Sequence, residues 1–284
     1  MEAAQITIIL ARAVYYVALV MLFGASVFPL YAGRSTWAAL PRSLTTALAV
    51  AVFLALLAWL LALAATLDDT GEVLPTVKVI LTESSFRAVW LARLGAALLL
   101  LLATLARAPS LVIALPAAVL LISEGWSGHA VAWGTPGSVN LALHALCAAL
   151  WLGGLVPLWL VVWAAYRGDP DLQSADLALR RFSVAAAVAV SGVVATGVVN
   201  TWHMLGGWPN FTDTYVRVLA FKIVLVMFMS GLAALNRYGF LPRLRTAFPM
   251  TSLRLLVGSV AVEQLLGLSV LLDVSALGMM NPHA

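Results

Sequence analysis

The chain is built from apolar runs long enough to cross a lipid bilayer. A spanning helix needs about 20 mostly apolar residues. Eight stretches meet that requirement: Ile6–Leu30, Leu44–Leu67, Phe86–Ala106, Ser110–His129, Asn140–Ala165, Phe182–Met204, Tyr215–Gly239 and Leu253–Val274. The fourth is the weakest, because Pro116 and the string Ser123-Glu124-Gly125 interrupt it. In hydrocarbon every backbone N–H and C=O must be satisfied within its own segment, so runs of this kind become helices. The expectation is an all-α, polytopic integral membrane protein with eight transmembrane helices, forming a single domain over residues 1–284. Composition agrees, with 63% hydrophobic and 10% charged residues, where soluble domains carry roughly 45–50% and about 25%. The first run is too long for the apolar region of a signal peptide, and no small-residue cleavage site follows it. One cysteine, Cys147, excludes an internal disulfide.

The basic residues set an orientation. Ten arginines lie in or beside the first, third, fifth and seventh connections: Arg34, Arg42, Arg107, Arg167, Arg180, Arg181, Arg237, Arg243, Arg245 and Arg254. The second, fourth and sixth connections hold only Lys78 and Arg87. The positive-inside rule makes the odd connections cytoplasmic and turns both termini toward the periplasm. A pI of about 9.6 is then a membrane signature and not a sign of nucleic-acid binding.

This orientation gathers soft metal donors on the outer side. His129 ends the fourth span, His144 opens the fifth, His203 ends the sixth, and His283 lies in the tail. Cys147 follows His144 by three residues, on the same helical face one turn deeper. Met204 adjoins His203, and Met279 and Met280 precede His283. Imidazole, thiolate and thioether together suit copper, as Cu(I) or Cu(II). Taken singly, each has a plainer reading: an interfacial histidine, a small apolar cysteine, or methionine packing. Trp126, Trp133, Trp202, Trp208 and Tyr215 at the outer ends fit an interfacial aromatic belt.

Ionisable groups inside spans cost about 2.5–3.5 kcal/mol each on insertion scales and face the bundle interior in pairs. Here they are Arg12, Arg93, Glu124, Arg217, Lys222 and Glu263. Glu263 with Lys222 and Arg12 with Glu124 are the pairings expected. Glu124, Glu263 and Lys222 are candidates for an ion or proton path, against an alternative as structural pairs. Ser191, Gly192, Thr196, Gly197, Asn200 and Asn236 read first as helix-packing residues. No phosphate loop, C-x-x-C, H-E-x-x-H or C-x-x-C-H occurs, and no nucleophile–base pair stands out. The chain does not read as an enzyme.

Several blocks carry a family likeness. They are Ser127-Gly128-His129-Ala130, the LHxLCAALWLGGLVPLW block at 143–159, Arg181-Phe182-Ser183, ATGVVN at 195–200, and the stretch from Tyr215 through FKIVLVMFMSGLAALNRYGFLPRL to Leu244. Together they make the chain resemble the copper resistance protein D (CopD) family of bacterial inner-membrane proteins, most clearly over residues 120–275. The resemblance implies an inner-membrane protein of copper homeostasis that binds copper and moves it from the periplasm into or across the membrane. It implies a separate periplasmic CopC-like carrier as partner, since no such domain is fused here. His129 and His144 carry over as metal residues because they sit inside matching motifs. Cys147 lies in the same block, while His203, Met204 and His283 rest on their placement alone. Two other functions stay open. The outer histidines could ligate haem b in a redox protein, or the chain could dock the carrier without binding metal. Oligomeric state is not legible.

Overall fold

The computed structural model describes residues 2–33, 38–68, 72–168, 172–245 and 249–280. The side chains of 2, 129, 130, 172–174, 245 and 249 lie outside this description, as does His283. The described residues form α1 (Glu2–Tyr31), α2 (Arg42–Leu67), α3 (Val73–Thr82), α4 (Arg87–Leu105), α5 (Ser110–Ser123), α6 (Gly134–Tyr166), α7 (Leu172–Leu205), α8 (Thr214–Ala234) and α9 (Pro249–Leu277). No strand occurs among them.

Seven of these helices are long and apolar enough to cross a membrane: α1, α2, α4, α6, α7, α8 and α9. They match seven of the eight expected spans. The fourth expected span, Ser110–His129, is a shorter apolar helix over Ser110–Trp126. Its α-helix stops at Ser123, where the chain tightens into 3₁₀ turns at Glu124–Trp126 and Gly128–Trp133. Polar bonding explains the stop. Ser123 Oγ turns back to the Leu120 carbonyl at 2.6 Å, and Glu124 is drawn sideways to Arg93. The second connection also contains α3, a 10-residue apolar helix that the run-length argument passes over.

Helices α1 and α6 form the centre. Glycines bring them together: a Cβ on Gly24 would overlap the backbone of Gly153, and one on Gly153 would overlap Val20 and Gly24. Small residues at a crossing let two backbones approach closely where dispersion, not hydrophobic expulsion, holds helices together. Around this crossing, α2, α4 and α5 pack on α1 about Tyr15, Leu19, Leu56, Leu100 and Leu120. On the other flank α7 and α9 pack on α6, and α8 packs on α9, about Trp151, Val162, Met229, Leu253 and Val260. Leu150, Leu152 and Val274 touch both cores.

Both ends of the described chain lie at one side of the bundle. Arg12, early in α1, donates to the carbonyl of Gly278, just after α9, at 3.2 Å. That side also holds the end of α5, the start of α6 and the end of α7. It is called the terminal side below.

Candidate metal site on the terminal side

The candidate site is an antiparallel ladder between α6 and α7. Asn140, His144 and Cys147 share a face of α6. Gly192, Thr196 and Asn200 share a face of α7 at intervals of four. The rungs match in order. Asn140 Nδ2 donates to Asn200 Oδ1 at 2.9 Å and to the Thr196 carbonyl at 3.0 Å. His144 Nδ1 meets Thr196 Oγ1 at 2.9 Å. A Cβ on Gly192 would press on Cys147 Sγ at 2.6 Å, so the missing side chain makes room for the thiol.

The Thr196 hydroxyl assigns the histidine tautomer. It has one proton, and its oxygen lies 2.5 Å from the Gly192 carbonyl, which can only accept. Thr196 therefore donates to Gly192 and accepts from His144. Nδ1 carries the ring proton, and Nε2 of the neutral ring keeps its lone pair. A second hydrogen bond that fixes one ring nitrogen and frees the other is the arrangement around metal-ligating histidines. Sequence reasoning treated Thr196 and Asn200 as packing residues. The signal that pairs them with the site is their four-residue spacing opposite 140, 144 and 147.

The other expected ligands are spread out. His203 is exposed and lies tilted against Trp133, ring centroids 4.5 Å apart and planes at 35°. Met204 Sδ accepts from the Tyr215 hydroxyl at 3.0 Å and packs in a small cluster with Leu277. The expected contributions of the His129 side chain and of His283 lie outside the described residues. No group of three or more His, Cys, Asp or Glu side chains converges among the described residues. The described donors are thus two, His144 and Cys147, a nitrogen and a sulfur suited to a soft ion such as Cu(I).

The charged residues pair differently from expectation. Glu124 binds Arg93 at 2.9 Å, not Arg12. Arg12 reaches it only through Tyr16, donating to the Tyr16 hydroxyl at 3.2 Å, which donates to Glu124 Oε2 at 2.9 Å. Arg93 is 1% exposed. It is further held by Ser123 and Ser127 and packs over the rings of Trp59 and Trp90. Glu263 is bonded by Asn236, not by Lys222. Lys222 acts electrostatically on His144 and on Asp273, an acid that the span reading overlooked near the end of α9. Both mispairings have one cause: charge alone does not say which helices are neighbours. No described hydrogen bond or ion pair joins any two of Glu124, Lys222 and Glu263.

Comparison with known proteins now decides the family. The model for "Copper resistance protein D-like, N-terminal domain" matches residues 1–139, and that for "Copper resistance protein D" matches 176–277. The chain is 30% identical over 265 residues to "Copper resistance protein D" of Pseudomonas syringae pv. tomato, covering 84% of each chain. The chain belongs to the copper resistance protein D family. It is also 33% identical over 178 residues to "Inner membrane protein YebZ" of Escherichia coli, covering 60% of each chain. The chain thus spans about three-fifths of the length of that relative. No solved structure matches. Family and apolar helices together make this a multi-pass inner-membrane protein with a copper-related function. The first helices, which precede the stretch where the resemblance is clearest, fall within a matched range. Residues 140–175, which include His144 and Cys147, fall between the two.

Proposed function

We propose that this chain takes up copper on the periplasmic side and passes it into or across the inner membrane, as a carrier and not an enzyme. The observation that carries the reading is His144. Its Nδ1 edge is anchored to Thr196, which leaves the ring lone pair on Nε2, and a thiol sits one turn below. Cys147 Sγ and His144 Nε2 would supply two donors, with further ligands drawn from His129, His203, Met204 or His283. The terminal side faces the periplasm in this reading, because the arginine-rich connections gather at the other side. Short α5 completes an eighth crossing together with the 3₁₀ turns that follow it. A separate CopC-like carrier would deliver the ion there. Glu124, Lys222 and Glu263 would serve as polar steps along the path.

The test is an absorption spectrum with metal analysis on purified, copper-loaded protein, wild type beside His144→Ala. About one equivalent of copper, lost in the variant and without a Soret band, is the expected result. A haem spectrum that collapses in the variant would make this a redox protein instead. Metal-free protein that still captures a periplasmic copper carrier would make it a docking scaffold.

A further inference from the structure

A second site lies in the half of the bundle away from the termini. A cavity of about 240 Å³ opens there between α7 and the end of α8. Leu155, Leu158, Phe182 and Val190 form apolar walls, and Ala187, Ala234 and Tyr238 stand exposed at its rim. The surface outside that rim is apolar, with Val184 and Val188 on α7 and Leu235 before Tyr238, so the mouth faces lipid.

One end of the cavity is polar. Glu263 is 2% exposed and is the middle residue of α9, 14 residues from Pro249 and from Leu277. That is about 21 Å along the axis from either end at 1.5 Å per residue. Asn236 Nδ2 donates to Glu263 Oε1, and Asn236 Oδ1 is buried without a hydrogen-bond partner. Neither described salt bridge reaches this acid. Asn236 stands on a π-helical turn, Leu235–Phe240, and such turns recur at functional sites because they re-aim side chains out of the α-helical register. Ser183, Ser230 and Arg237 also line the cavity. Arg237 Nη1 donates to the Ser183 carbonyl and hydroxyl, and Ser230 Oγ to the Val226 carbonyl, so no described hydrogen bond reaches Asn236 Oδ1. An acid and an unpaired amide oxygen at membrane depth are costly to keep.

We propose that this cavity binds the ring-sized head of a lipid-soluble phenol or hydroquinone, entering from the bilayer and donating its hydroxyl to the Glu263–Asn236 pair. The acceptors call for a donor. An acyl chain would fill the apolar walls and leave both acceptors unpaired. A phospholipid ammonium or phosphate belongs at the interface, and drawing it to the middle of α9 would desolvate it. The volume is that of about eight waters at ~30 Å³ each, enough for a substituted ring. The tail would leave between α7 and α8.

The probes are 4-decylphenol, decylhydroquinone, decylbenzoquinone and decylbenzene, titrated by calorimetry into the full chain in detergent. Saturable one-to-one binding of the phenol and hydroquinone is expected. The quinone and the hydrocarbon, which lack an O–H donor, should bind at least tenfold more weakly. Asn236→Leu should lower phenol affinity at least tenfold and leave decylbenzene unchanged. Ala234→Trp, at the exposed rim, should block all binding while copper loading at His144 stays intact, and it keeps the test sound if Asn236→Leu fails to fold. Mass spectrometry of lipid extracted from native protein separates the sources. A co-purifying hydroquinone or its quinone means the membrane's own pool, and none means a phenol supplied from outside. Equal binding of all four probes, or binding that survives Ala234→Trp, would overturn the proposal.

Discussion

Thr196 shows how much one hydroxyl can decide. It spends its only proton on the Gly192 carbonyl and so orients the His144 ring, leaving Nε2 as the donor. Replacing it with valine keeps the shape of the rung and removes the acceptor for Nδ1–H. Loss of such an outer partner typically costs 10–100-fold in metal affinity. Thr196→Val should therefore weaken copper binding by about that factor in a competition titration against a chelator, with copper stoichiometry unchanged at saturation. An unchanged affinity would remove Thr196 from the site. Arg93 makes the opposite point. Its guanidinium contacts Glu124, Ser123, Ser127, Trp59 and Trp90, so a residue flagged only as a charge in a span is a buried tie between α4 and the turns after α5.

Among the helices, glycine spacing sets how closely they approach. The α1–α6 crossing depends on Gly24 and Gly153 standing against each other with no side chain between their backbones. A single methyl there must separate the two central helices, and overpacking of this kind costs roughly 1–3 kcal/mol, occasionally more. Gly153→Ala should lower the thermal midpoint in detergent, while Gly95→Ala, where nothing lies within 4 Å of the added carbon, should leave it unchanged. Equal midpoints for the two variants would show that the crossing is loose. Helix α5 illustrates the other limit on a span. Apolar length promised a crossing down to His129, but Glu124 bonds sideways and the α-helix ends at Ser123.

Over the whole molecule, the two flanks of the α1–α6 centre hold different polar sites. On one, Arg93 and Glu124 secure the turns that lead to His129. On the other, the α6–α7 ladder holds His144 and Cys147, and the lipid-facing cavity lies farther along the same α6–α7 pair. The orientation of the bundle is open to direct measurement. A phosphatase that folds only in the periplasm, fused after residue 284, should be active, and the same enzyme placed in the connection after Arg167 should be inactive. The reverse pattern would put His144 on the cytoplasmic side and end the uptake reading.

Much is legible in the sequence alone. Lipid forbids unsatisfied backbone, so long apolar runs had to be helices, and seven of the eight expected spans are long helices in the structure. The blocks from Ser127 to Leu244 carried the family. The sequence also placed His144 and Cys147 on one helical face, because helical periodicity is a local property of the chain. What it could not supply was adjacency between helices. That Glu263 meets Asn236, that Glu124 meets Arg93, that Thr196 turns the His144 ring, and that α7 and α8 leave a cavity between them all depend on which helix stands beside which. In a chain that is apolar on nearly every face, that choice is made by glycine contacts and a few buried polar bonds distant in sequence, so only the tertiary structure decides it.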